Sequence, residues 1–255
     1  MRNLPEQLPK RTLTRRQIQV RTLVSFAVLL LLFTAAWMGF NWIKKQPSDN
    51  GTPKPLRSVL NTNEKIFASL FDSTRRVKEY PLSAADKKVR VNGNAGMDGQ
   101  VDMATWRLQI IRSRGDTLFL TMDDIKKLPK KDIAFDFKCI EGWSQVTHWA
   151  GVPFSRFVEA YQLKEESTMN YIGLVTPDKE YYVGIDMPSA LQEQTLLCYE
   201  MNGKPLPVNQ GFPLRLIIPV KYGIKHLKRI GTLFFSNTKP ADYWAEKGYD
   251  YYAGH

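Results

Sequence analysis

At 255 residues and 43% hydrophobic content, the chain can bury one substantial core, and one domain with appendages is the expected organisation. The formal charge of +11 would suit a nucleic-acid binder, but most of it is local. Residues 1–21 hold Arg2, Lys10, Arg11, Arg15, Arg16 and Arg21 against Glu6 alone, and Lys44 and Lys45 add two charges, leaving an ordinary +4 for the rest.

Residues 22–43, TLVSFAVLLLLFTAAWMGFNWI, carry no charge over 22 positions and predict one membrane-crossing helix. The basic residues before it place residues 1–21 in the cytoplasm and the remainder of the chain outside, with Lys44 and Lys45 opposing that bias. Thr14-Arg15-Arg16-Gln17-Ile18-Gln19 resembles a twin-arginine export signal, with a plain basic flank as the competing reading. No small-residue cleavage site follows the apolar run, which predicts an anchor that is retained.

Residues 44–60, rich in proline, read as a semi-extended spacer, with the folded domain expected over 61–255. Ile66, Phe67, Leu70 and Phe71 predict an amphipathic helix opening near Glu64 and ended by Pro81. Strands are predicted at 106–112, 117–121, 132–139, 170–176, 180–185, 195–201, 214–218 and 227–235. Between them, Thr121 and Asp124 form a capping box for a short helix closed by Pro129, and Phe154, Phe157, Val158 and Tyr161 mark another helix. Asn202-Gly203 signals a tight hairpin. Strands outnumber helices without strict alternation, so an α+β, mainly β domain is expected rather than a doubly wound parallel sheet.

In DIAFDFKC, Ile133, Phe135, Phe137 and Cys139 share one face of a strand, which brings Cys139 to the end of an inward apolar row. A thiolate there is a plausible soft metal ligand. Spacing alone favours two plainer readings: a small buried hydrophobe, or a disulfide with Cys198. His148, His226 and His255 are too scattered for a zinc or iron–sulfur site.

The segment FDFKCIEGWSQVTHWAGVPF resembles the cysteine region of the sulfite-oxidase-like molybdopterin family, whose members show C-V-E-G/A-W-S followed by W-x-G-V/F-P. A second block, NGKPLPVNQGFPLRLIIPVKYGIKHLKRI at 202–230, is similar to that family's pterin-binding segment, particularly in its methionine-sulfoxide-reductase branch. The resemblance spans roughly 61–252 and implies a mixed-sheet fold around Mo-molybdopterin.

It implies that Cys139 ligates molybdenum and that Thr176 bonds the pterin. In Gln210-Gly211-Phe212-Pro213-Leu214-Arg215, Arg215 matches the family's arginine, while Gln210 stands where an asparagine is usual and keeps the same amide chemistry. Within Lys221–Lys228, Lys225, His226 and Lys228 fall on the stretch that cradles the pterin phosphate. Read without the family, these cations are an ordinary solvated strand edge. Arg90 and Asn92, in Val89-Arg90-Val91-Asn92-Gly93, resemble a first pterin contact.

The resemblance further implies oxygen-atom transfer. Sulfite oxidases carry arginines just beyond their cysteine; Ile140, Glu141, Gly142, Trp143 and Ser144 supply none, which favours reduction of a neutral S- or N-oxide over oxidation of a small oxyanion. A binding module without turnover is the third alternative. No haem or flavin motif is visible, so electrons are expected from a haem-containing membrane cytochrome or another quinol-linked donor. The expected location is the cytoplasmic membrane, single-pass, with a monomeric catalytic domain on the periplasmic or outer side and no nucleic-acid partner.

Overall fold

The computed structural model describes residues 13–49, 51–71, 76–91 and 93–255. The chain opens with helix α1 (Arg15–Lys44), capped by Thr14, whose hydroxyl accepts from Gln17 N while the Gln17 side chain returns to the Thr14 N–H. No residue of α1 is buried, and among the described residues it is the one helix long and apolar enough to cross a membrane. Of the basic residues before the apolar run, Arg15, Arg16 and Arg21 lie on α1, whereas Arg2, Lys10 and Arg11 fall outside the described residues.

A two-stranded hairpin, β1 (Ser48–Asp49) and β2 (Thr52–Pro53), leads into α2 (Lys54–Leu70). This helix begins ten residues earlier than Glu64, inside the predicted spacer, because Pro55 sits in its first turn, where a missing N–H costs nothing. Arg57 ties α2 down: its buried guanidinium donates to Asp49 O, Tyr249 O, Ala245 O and Thr52 Oγ1.

The domain proper follows as β3 (Leu108–Ile111), β4 (Thr117–Leu120), α3 (Met122–Lys126), β5 (Lys131–Lys138), β6 (Ser144–Pro153), α4 (Phe154–Ala160), β7 (Tyr171–Val175), β8 (Tyr182–Asp186), α5 (Met187–Ala190), β9 (Leu196–Met201), β10 (Lys204–Pro205), β11 (Arg215–Ile217) and β12 (Thr232–Ser236). The Thr121–Asp124 capping box and the Asn202-Gly203 turn form as expected, the latter with φ of 52° and 70°. The strand expected over 227–235 starts only at Thr232, since Arg229 takes φ 53° and breaks the extended backbone.

One sheet runs β10-β9-β6-β5, with β11 also on β9; the other runs β4-β3-β12-β7-β8. Among the described residues all pairs are antiparallel except β12 on β3, so the second sheet is mixed, the first is antiparallel, and the α+β expectation holds. Strand alternation splits the first sheet between two cores. Leu197 and Tyr199 face the large core with Phe154, Phe157 and Leu233, while Leu196 and Cys198 face a smaller one with Ile133, Phe135, Phe137 and Trp149. Phe137, two residues before Cys139, belongs to the smaller core.

Candidate functional site

Strand β5 delivers Cys139 and the turn into β6 fixes it. The Cys139 N–H donates to Trp143 O at 2.9 Å and the Gly142 N–H to Cys139 O at 3.0 Å, with Gly142 at φ +86°, a conformation that glycine adopts without a steric cost. Ile133, Phe135, Phe137 and Cys139 are all at most 5% exposed, so the inward row is real. Phe137 stacks on Trp143 and meets the His226 ring edge-on at 4.7 Å.

The disulfide alternative does not hold, because neither cysteine is in a disulfide. Cys198 sits on β9 within the smaller core, where burial pushes its thiol up to about 12.

A buried basic group lies behind the turn. Arg215, 2% exposed, stacks its guanidinium 4.5 Å over Trp149 and donates through Nη1 to Gln210 O (2.9 Å) and Gln210 Oε1 (3.0 Å). Gln210 in turn donates to Arg90 O at 3.3 Å. The Lys228 ammonium donates to Gly93 O and Asn209 O at 3.0 and 3.2 Å. Burial pulls the Arg215 pKa down to about 10, and burial followed by the charge of Arg215 pulls Lys228 down to about 7. Two buried basic side chains whose charges oppose each other favour an anion near them. A narrow cavity joins Val89, Arg90, Phe137, Trp143, Gln210 and Arg215, so residues far apart in sequence line one space.

Three other predicted positions have side chains engaged elsewhere. Lys225 forms a buried ion pair with Asp242 and donates to Gly184 O, because the short turn at 223–225 points it under the β7-β8 sheet. His226 accepts the Ile218 N–H at Nδ1, which leaves Nε2 to donate to Lys221 O; both ring nitrogens are used, and burial holds its pKa down at about 3. The side chains of Lys225 and His226 are thus engaged within the fold. The Thr176 hydroxyl is bonded to Asp178 and Tyr181 in the β7-β8 turn. Asn92 lies outside the described residues.

Sequence reasoning passed over two participants and one contact. Trp149 is the platform for Arg215. Arg229 donates through Nη1 to Met97 O, Asp98 O and Gly99 O, each at 2.9 Å, pinning the glycine-rich loop against Thr176, where any Cβ on Gly96 would clash. Arg90 stacks 4.6 Å from Trp143 and comes to 4.0 Å from Glu141, whose carboxylate also accepts the Trp143 indole N–H. Membership in the basic run was the only available signal for Arg229. For the Arg90–Glu141 contact there was none.

A roomier groove of about 610 Å³ opens elsewhere, on Asp136 and Lys138, which alternate with the Phe135–Cys139 row and so occupy the opposite face of β5.

The family profile "Oxidoreductase molybdopterin binding domain" matches residues 94–244, more than half of the chain. The chain belongs to this molybdopterin-binding oxidoreductase family. Among curated members it is 33% identical over 208 residues to the putative protein-methionine-sulfoxide reductase subunit YedZ1 of Azospira oryzae, an overlap covering 81% of this chain and 78% of that relative. It is 31% identical over 215 residues to the protein-methionine-sulfoxide reductase catalytic subunit MsrP of Campylobacter jejuni, covering 77% and 70%. The sulfane dehydrogenase SoxCD of Paracoccus pantotrophus overlaps 55% of this chain and 40% of its own at 18% identity and a TM-score of 0.49, too loose to add weight.

Members of the molybdopterin family are oxidoreductases, and so is this chain. The residues present fit the family's cofactor on a structural ground: Arg215 Nε is buried and has no partner in the fold, on a cation whose bonds go to neutral oxygens. An anionic pterin tail would supply the missing acceptor.

Proposed function

We propose that the chain is the catalytic subunit of a membrane-anchored reductase of sulfoxides, with Mo-molybdopterin held by Cys139 and by Arg90, Gln210, Arg215 and Lys228. One observation carries this reading: a buried thiol at the base of a tight turn shares its side of the sheet with a buried guanidinium whose Nε lacks an acceptor. The names of the two curated relatives point to sulfoxide reduction.

When bound, the cofactor supplies two-electron oxygen-atom chemistry, so that sulfoxide, two electrons and two protons give a thioether and water. The protein's part is to orient and to set charge. Cys139 presents its sulfur from a strand end that the Trp143 and Gly142 backbone bonds keep in place. Arg215 and Lys228 fix the anionic end, with Gln210 bridging Arg215 to the Arg90 backbone. Thr176, Lys225 and His226 stiffen the walls.

The lip of the site favours a neutral substrate. Arg90 does reach the region beyond the cysteine, but Glu141 stands against it, so the pair offers no net positive charge for a dianion. Oxidation of a small oxyanion is therefore the weaker reading.

In this account α1 is a single-pass anchor in the cytoplasmic membrane, exported by the twin-arginine-like signal, with the domain on the outer side. Electrons come from a quinol-linked membrane donor, with a haem cytochrome the natural kind. Purified protein should oxidise reduced viologen when given methionine sulfoxide and should leave an acceptor dye unreduced with sulfite; the reverse pattern would establish the oxidase.

A further inference from the structure

Helix α2 carries an apolar stripe that the domain covers only in part, at Phe67. Leu56, Val59, Ile66, Phe67 and Leu70 are between 45% and 72% exposed, and at 3.6 residues per turn they share an arc of about 100°. The domain grips a neighbouring side of the helix instead, through buried Arg57 and the Glu64–Lys239 ion pair, with Phe67 stacked on Tyr252. A helix bolted down in this way keeps a fixed apolar face in water, which soluble proteins ordinarily avoid.

The chain's own continuity says what lies against it. Only residues 45–53 separate the end of α1 from the start of α2, and the β1-β2 hairpin folds them back. Nine residues reach at most about 30 Å even when extended. If α1 spans a bilayer, α2 lies at its surface. Basic side chains stand near both ends of this connection: Lys44 and Lys45 at the end of α1, and Arg76, Lys78 and Lys138 beside Asp136 in the groove that Phe67 and Leu70 also line.

We propose that α2 is an interfacial helix whose apolar stripe lies in the head-group layer of an anionic lipid bilayer, fixing the domain's orientation to the membrane. The proposal rests on the reading of α1 as a membrane span. Its test uses the full chain in vesicles of phosphatidylglycerol and phosphatidylethanolamine, with an environment-sensitive fluorescent residue placed at position 59, 70, 58 or 65 and lipids carrying a quencher near the head group. Quenching at 59 and 70 should exceed that at 58 and 65 several-fold. Alkaline carbonate extraction tests the span separately. Protein that resists extraction while all four positions quench equally weakly overturns the lipid contact, leaving a protein occupant to cover the stripe. Protein that carbonate extracts overturns the span and this proposal with it.

Discussion

Arg215 and Trp149 stack at 4.5 Å across two strands that never pair directly, Arg215 on β11 and Trp149 on β6, with β9 between them. The stack uses one face of the guanidinium, and Gln210 takes Nη1, so its remaining capacity is aimed by the sheet itself. Arg215→Lys keeps a charge but loses the planar fork. The variant should fold, lose about 2 kcal/mol of stability for the abandoned Gln210 acceptors, and retain several-fold less pterin. Urea unfolding and pterin fluorescence after denaturation measure the two effects.

Glycine substitutions separate the turn from the sheet. A Cβ on Gly142 meets nothing within 4 Å, so Gly142→Ala costs only its left-handed φ, about 1 kcal/mol, while shifting Cys139. Activity should fall far more than stability. A Cβ on Gly151 would lie 2.1 Å from Leu197 O at the β6-β9 irregularity, so Gly151→Ala should destabilise by roughly 3 kcal/mol or fail to fold. Paired melting curves and turnover rates check the contrast.

His226 gives the fold an acid limit. Its pKa falls from 6.5 unfolded to about 3 folded, through burial first and Arg215 second. Between those values the unfolded chain binds more protons than the folded one, so stability is lost as pH drops through that window, on the order of a few kcal/mol. In His226→Gln the fall in melting temperature between pH 6.5 and 3 should be visibly shallower than in the wild type. An unchanged slope would assign the acid sensitivity to other groups.

Much of the architecture was legible because local chemistry agreed with the fold. The Thr121–Asp124 cap, the Asn202-Gly203 turn and the alternation through Phe135 and Phe137 each specify geometry within a few residues. Strand β6 was not legible: from Trp149 to Pro153 every residue is buried, Trp149 toward the smaller core and Val152 toward the larger, so no apolar–polar alternation marks it. The site divided in the same way. Cys139 and Arg215 stand within recognisable motifs, but Arg90 reaches Glu141 only through tertiary packing, and the fold turns Lys225 toward Asp242, which no local pattern marks.

The Arg90–Glu141 pair is exposed on both sides, so it should set selectivity and leave stability unchanged. Glu141→Gln leaves Arg90 without its counter-charge. Its KM for methionine sulfoxide should change little, while anions such as sulfite should become competitive inhibitors at several-fold lower concentration. Steady-state kinetics across ionic strength will show the effect fading with salt if it is electrostatic.

The Lys225–Asp242 pair serves as a control for the wall assignment. Asp242→Asn strands a buried ammonium and should cost about 3 kcal/mol or more. Chains that still fold should keep their molybdenum, as judged by metal analysis of the soluble fraction.

The most direct test is the molybdenum and pterin content of natively produced protein, wild type beside Cys139→Ser. The account predicts metal in near-stoichiometric amount in the wild type, and its near-complete loss in a variant that keeps the wild-type circular dichroism. A wild type free of molybdenum, or a Cys139→Ser protein holding its full complement, would contradict it.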